Sequence, residues 1–199
     1  MAGKKRVISH RDFVRDLGRG AKGEAVVEAF FEEEFGLVAK NVSENNPDYD
    51  LILDEVVPEL LKKPKVVPKK LLKKIFKDAF SITRKDSLTV EVKLDEAAAR
   101  YGNFFFEIFL NVETGSPGGI FKCKADLFVW VVPGKRRKYN IYLFKRAEMM
   151  AWLFDYVLTY RKKLTYKTPG ISPYARGLPI SIEEISDSPA CLGVFDYKI

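Results

Sequence analysis

The stretch Leu88-Thr89-Val90-Glu91-Val92-Lys93-Leu94-Asp95 decides how this chain reads. Apolar Leu88, Val90, Val92 and Leu94 alternate with polar Thr89, Glu91, Lys93 and Asp95. Strict alternation of this length predicts a half-buried β-strand. Side chains on a strand repeat every second residue, so Glu91 and Lys93 project to the same side. A carboxylate and an ammonium held together on a rigid strand can bind a metal ion and act on a water. Taken alone, Glu-x-Lys is an ordinary surface ion pair. The rest of the chain has to separate the two readings.

Upstream, Asp48-Tyr49-Asp50 leads into Leu51-Ile52-Leu53, a short apolar run of the kind found in an interior strand. Asp50 stands at its mouth; as a competing reading, acids there make turn hydrogen bonds. Leu37 to Val42 predicts a short strand before it. Earlier still, Gly20 to Phe35 reads as a helix stopped by Gly36. Val27, Phe31 and Phe35 form an apolar stripe flanked by Phe30, with Glu24 on the stripe, Glu28 at its edge and Glu32 and Glu33 pointing away. A carboxylate aimed at the core needs a partner there. Alternatively Glu24 lies in the first helical turn and favours the helix dipole. Gly18, Gly20 and Gly23 spell G-x-G-x-x-G, but the preceding Arg11-Asp12-Phe13-Val14-Arg15-Asp16 is too polar for the buried strand a dinucleotide site requires.

Between Glu55 and Asp86 there are ten Lys or Arg against four acids, interrupted by Pro58, Pro64 and Pro68. This segment reads as a basic insertion between two core strands. Lys62, Lys63, Lys69, Lys70, Lys73 and Lys74 would contact phosphates without reading sequence, or would form a solvated face. Beyond Asp95 the pattern predicts a helical turn or loop at 96–100 and a strand at Phe104–Leu110, buried on both faces and containing Glu107. A loop at 115–119 follows. Strands at 125–132 and 139–144 are joined by the basic turn Pro133–Lys138, where Arg136 and Arg137 would be further phosphate contacts. A helix at 146–158 turns Met149, Met150, Trp152, Leu153 and Tyr156 to the core. The tail carries at most a short capped turn at 181–185.

The chain's 199 residues, 47% hydrophobic and 13% aromatic, predict one folded domain. Its organisation reads as a basic arm at 1–19, a core at 20–54 and 87–145, the insertion at 55–86, and a C-terminal helix and tail at 146–199. The net charge of +7 points to a polyanionic partner or serves solubility alone. Two cysteines and no leading apolar segment predict an intracellular, cytoplasmic protein, and no apolar run is long enough for a membrane span. A single histidine, His10, argues against Ser-His-Asp or Cys-His catalysis, and one His with two distant Cys cannot form a tetrahedral zinc site. No phosphate-loop motif is present. An oxygen-rich site for Mg²⁺ or Mn²⁺ remains.

Glu24 on a first helix, Asp50 at a strand mouth and Glu91-Val92-Lys93 on the next strand together resemble the PD-(D/E)XK nuclease superfamily, over roughly residues 20 to 145. The literal Pro47-Asp48 pair lies two residues before Asp50, and Asp50 is the better match because it opens the strand. The resemblance implies an α/β fold, a restriction-endonuclease-like αβββαβ core with a central mixed sheet flanked by helices. It implies Asp50, Glu91 and the Val92 carbonyl as metal ligands, Glu24 supporting a metal, and Lys93 near the attacking water. The implied activity is Mg²⁺- or Mn²⁺-dependent DNA endonuclease cleavage, in repair, recombination or restriction and phage processing, by a protein able to work as a homodimer. The alternative is a non-catalytic DNA-binding or assembly protein that keeps the fold.

Overall fold

The computed structural model describes residues 10–43, 46, 48–54, 87–160, 164–166 and 175–199. The protein is mixed α/β, with a central mixed sheet of six strands flanked by helices. Helix α1 (His10–Phe35) leads to β1 (Ala39–Asn41), β2 (Leu51–Asp54) and β3 (Ser87–Leu94), which pair antiparallel in turn. β3 then pairs parallel with β6 (Leu127–Pro133). β6, β7 (Lys138–Lys145) and β10 (Cys191–Lys198) complete the sheet as antiparallel neighbours.

Burial follows from alternation along these strands. Leu88 and Val90 of β3, Leu51 and Leu53 of β2 and Val129 and Val131 of β6 face α1, and each is fully buried there. Val27, Phe30, Phe31 and Phe35 of α1 close that layer, and the Phe30 and Phe35 rings meet Phe195 at 5.1 and 5.9 Å between centroids. On the other face, Phe128, Trp130 and Val132 enter a second core. With both faces covered, β6 has to be apolar at every position, which is why its sequence does not alternate.

The second core is roofed by a four-stranded antiparallel sheet, β5 (Ser116–Pro117), β4 (Asn103–Asn111), β9 (Arg176–Ser181) and β8 (Thr165–Tyr166). Helices α2 (Glu96–Tyr101), α3 (Gly119–Lys122), α4 (Arg146–Tyr160) and α5 (Ile182–Ser186) contribute to it. The crossover from β3 to β6 therefore runs through α2, β4, β5 and α3 and is not a single helix.

Several sequence expectations change. α1 begins at His10, so residues 10–19 are helix and not part of a loose arm. Gly18, Gly20 and Gly23 lie inside α1, which removes the dinucleotide reading, since that needs a strand-to-helix turn. β4 is buried on one face only: Phe104, Phe106 and Ile108 point inward, while Phe105, Glu107 and Phe109 are half-exposed. The C-terminal segment supplies β9 and β10 besides the short helix α5, which Ser181 caps by accepting the Glu184 N–H at 3.1 Å. Among the described residues no helix is long and apolar enough to cross a membrane. The basic segment 55–86 lies outside the described residues.

Candidate functional site

The register of β2 on β3 builds the site. Leu51 pairs with Val90 and Leu53 with Leu88, so Asp50, just before β2, falls beside Glu91. Asp50 is fixed from three directions. Its N–H donates to the Val90 carbonyl and its carbonyl accepts from the Val42 N–H, both at 2.9 Å, and its Oδ2 accepts the Val92 N–H at 2.7 Å. Because Leu88 and Val90 are committed to the α1 core, Glu91 and Lys93 lie on the opposite face of β3.

Glu24 reaches this end of the sheet from α1. Its Oε2 accepts from Asn41 Nδ2 at 2.6 Å and from Ser43 Oγ at 2.9 Å, both at the end of β1. With the helix starting at His10, Glu24 is mid-helix, so the dipole reading fails. The approach is close because Gly23 lacks a side chain. A Cβ there would lie 3.0 Å from Leu94 Cβ and 3.5 Å from Val92 Cγ1.

Burial and neighbouring charge raise two of the carboxyl groups. Burial, then the charge of Asp50, pushes the Glu91 carboxyl up from 4.5 to about 7; the Cys123 thiol and Lys93 oppose this, and Glu24 adds to it. Asp50 is also raised, chiefly by burial and further by Glu24, against the Val92 N–H. A site that resists its own negative charge holds protons or cations.

Lys93 stands beside Trp130 in the β3–β6 register, with Nζ 5.0 Å from the ring centroid. This cation–π contact fixes the end of a flexible chain at a gain of about 1 kcal/mol. Cys123, from the end of α3, lies against Glu91, and burial followed by the Glu91 charge pushes its thiol up to about 11. Asp126 ties β3 to β6 below the site: its Oδ2 accepts the Thr89 N–H at 3.0 Å and Thr89 Oγ at 2.7 Å.

Glu24, Asp50, Glu91 and Lys93 are thus gathered at one end of β3. Asp48 is turned elsewhere, to Lys124 Nζ at 3.0 Å. Arg136 and Arg137 are exposed at the β6–β7 turn. Lys62, Lys63, Lys69, Lys70, Lys73 and Lys74 lie outside the described residues. Val92, expected to lend its carbonyl, is seen to give its N–H to Asp50. Asn41, Ser43, Cys123 and Trp130 were not singled out by their sequence context. Only their pairing with Glu24, Glu91 and Lys93 reveals them.

The donor chemistry, carboxylate oxygens whose mutual repulsion a cation would relieve, fits a hard divalent ion. Among the described residues, however, no three of His, Cys, Asp and Glu form a group that could hold a metal ion. No protein-family model, no curated protein and no solved structure matches the chain.

Proposed function

We propose that the chain is a metal-dependent DNA endonuclease of the PD-(D/E)XK kind, hydrolysing phosphodiester bonds at the Asp50–Glu91–Lys93 end of β3. The observation that carries this reading is the register that puts Asp50 beside Glu91, with Lys93 two residues further along the same face. The succession of α1, an antiparallel β1–β2–β3 and a crossover to a parallel β6 supports an αβββαβ core. Asp50 and Glu91 would hold Mg²⁺ or Mn²⁺, supported by Glu24 and the Val92 carbonyl. A bound divalent ion supplies Lewis acidity and a nucleophilic hydroxide near neutral pH.

The protein's own groups do the rest. Lys93, steadied over Trp130, orients the attacking water and stabilises the negative charge that builds on the phosphoryl oxygens. The water oxygen bonds to phosphorus as its proton passes to solvent, the P–O ester bond breaks, and the leaving alkoxide takes a proton from solvent. Asn41 and Ser43 keep Glu24 aimed at the site. The lysines of the insertion hold the sugar-phosphate backbone.

That no three metal-ligating side chains group together among the described residues favours a second reading, a DNA-binding protein that keeps the fold without cutting. Incubation with linear, nicked, flap and four-way DNA, with Mg²⁺ and with EDTA, separates the two. Mg²⁺-dependent cleavage of any substrate that disappears in Asp50→Asn supports the nuclease. Binding with no cleavage of any of them leaves the second reading.

A further inference from the structure

The turn between β6 and β7 holds two arginines in a conformation that arginine disfavours. Arg136 and Arg137 have φ of 57° and 59°. In this left-handed region Cβ crowds the following carbonyl oxygen, and glycine and asparagine sit there at least cost. The Lys138 N–H donates to the Lys135 carbonyl at 3.2 Å and the Gly134 N–H to the Lys138 carbonyl at 2.8 Å. Both arginines are therefore central residues of a tight turn with the φ signs of type I′, for which Asn-Gly is the favoured pair. Lys135, Arg136, Arg137 and Lys138 are all exposed, so no burial compensates for the conformation. Lys198 lies opposite Lys138 in β10, and one acid, Asp196, stands 3.6 Å from Lys138 Nζ. The sequence has put cationic charge where the backbone asks for Asn-Gly.

The place of the turn gives that charge a use. β3 and β6 run parallel, with Lys93 beside Trp130, and β2 runs against β3, so the turn leaves the sheet at the end that carries Asp50, Glu91 and Lys93. At about 3.3 Å per strand residue, the tip stands about 15 Å beyond Lys93. That spacing is rigid, because β6 and β7 are paired from Leu127 and Lys145 to Pro133 and Tyr139. It is comparable to the ~12 Å width of the major groove of B-DNA.

We propose that the Arg136–Arg137 turn is a fixed second contact to duplex DNA, gripping backbone phosphates on the far wall of the groove from the phosphate held at Lys93. This rests on the hydrolytic reading of the site and narrows its substrate to double-stranded DNA. A flexible single strand has no phosphates held at a set distance from the scissile one, so it gains little from a rigid spacer.

The test measures binding alone, in EDTA, by fluorescence anisotropy with a short blunt duplex and one of its single strands over a salt series. R136N/R137G supplies the turn with its preferred residues and should melt at or above the parent temperature. R136Q/R137Q removes the charge while keeping the backbone demand, and should melt with the parent. Both should bind duplex about tenfold more weakly at moderate salt, and the slope of log K against log salt should become shallower by about 2 for two lost phosphate contacts. Single-strand binding should change much less. An unchanged duplex slope in two folded variants overturns the proposal, as does an equal loss on single strand and duplex. A parent that does not bind duplex overturns it together with the DNA reading of the site. A parent that binds through the turn but cuts nothing with Mg²⁺ sinks the nuclease reading and leaves the contact standing.

Discussion

Asp50 accepts the backbone N–H of Val92, one residue past Glu91, at 2.7 Å, so the carboxylate that raises Glu91 is itself held by the strand that carries Glu91. Two substitutions separate its charge from its hydrogen bond. Asp50→Asn keeps an acceptor for Val92 and removes the charge. Asp50→Ala removes both and leaves a partly buried N–H unsatisfied, which costs about 1–3 kcal/mol. Both should lower the midpoint of Glu91, read by carboxyl-carbon NMR. Only the alanine variant should lose stability in denaturant titrations at neutral pH. An unmoved Glu91 midpoint in both would show that the two groups do not interact.

Glu91 gives the protein a signed pH dependence. Its folded-state value of about 7 lies above the ordinary 4.5, so the folded protein keeps this proton to higher pH than the unfolded chain does. The carboxyl is therefore harmless below about 4.5, erodes stability as pH rises from there to about 7, and carries its full penalty above. The ceiling is about 3 kcal/mol before solvent screening. Glu91→Gln should remove that loss, so it should melt higher than the parent at pH 8 and close to it at pH 4. Mg²⁺ should stabilise the parent more at pH 8 than at pH 5, because only the ionised site attracts it. Parallel melting curves for parent and Gln variant across this range would show that the carboxyl is not strained.

Where structure was readable in the sequence, a local period carried it. The alternation of β3, the apolar run of β6, the basic turn into β7 and the Ser181 cap are each encoded within a few adjacent residues. Asp50 stands immediately before β2, and Asp48 pairs with Lys124. What escaped depended on distant partners. β9 contains Pro179, which lowers strand expectation, yet it pairs with Phe105 across more than seventy residues of sequence. Asn41 and Ser43 meet Glu24 only because Gly23 lets α1 sit on β3. The first half of α1 runs against its local signal, because three glycines within six residues lower helix propensity.

Those glycines differ in what they permit, and substitutions should show it. Nothing lies within 4 Å of a Cβ built on Gly18, so Gly18→Ala should stabilise α1 by up to about 1 kcal/mol. A Cβ on Gly23 meets the Leu94 Cβ at 3.0 Å and its backbone N at 3.5 Å, atoms that move only with the strand. Overpacking of this kind costs about 1–3 kcal/mol and outweighs the helix gain, so Gly23→Ala should be net destabilising. It should also push Glu24 away from the site and reduce any cleavage beyond what the stability loss explains. Equal stabilisation by both substitutions, measured by denaturant midpoint, would mean that α1 has room to lift from β3.

Lys93 separates catalysis from binding. Lys93→Ala removes the ammonium proposed to act on the water and on the developing phosphate charge, while Asp50 and Glu91 remain. It also removes the contact with Trp130, whose ring is packed among Phe104, Phe106 and Phe128, so the indole should stay in place and the fold should hold. Loss of a transition-state contact of this type costs about 3 kcal/mol of barrier, so cleavage should fall a hundredfold or more. DNA affinity should barely change, because one lysine among many supplies a small share of the phosphate attraction. Glu91 should titrate slightly higher, since Lys93 is one of the groups holding it down. Glu91→Ala should differ by losing the response to Mg²⁺ as well as the cleavage. If Lys93→Ala cuts as fast as the parent and melts at the same temperature, Glu91-Val92-Lys93 is an ordinary strand ion pair and the cleavage is carried out elsewhere in the protein.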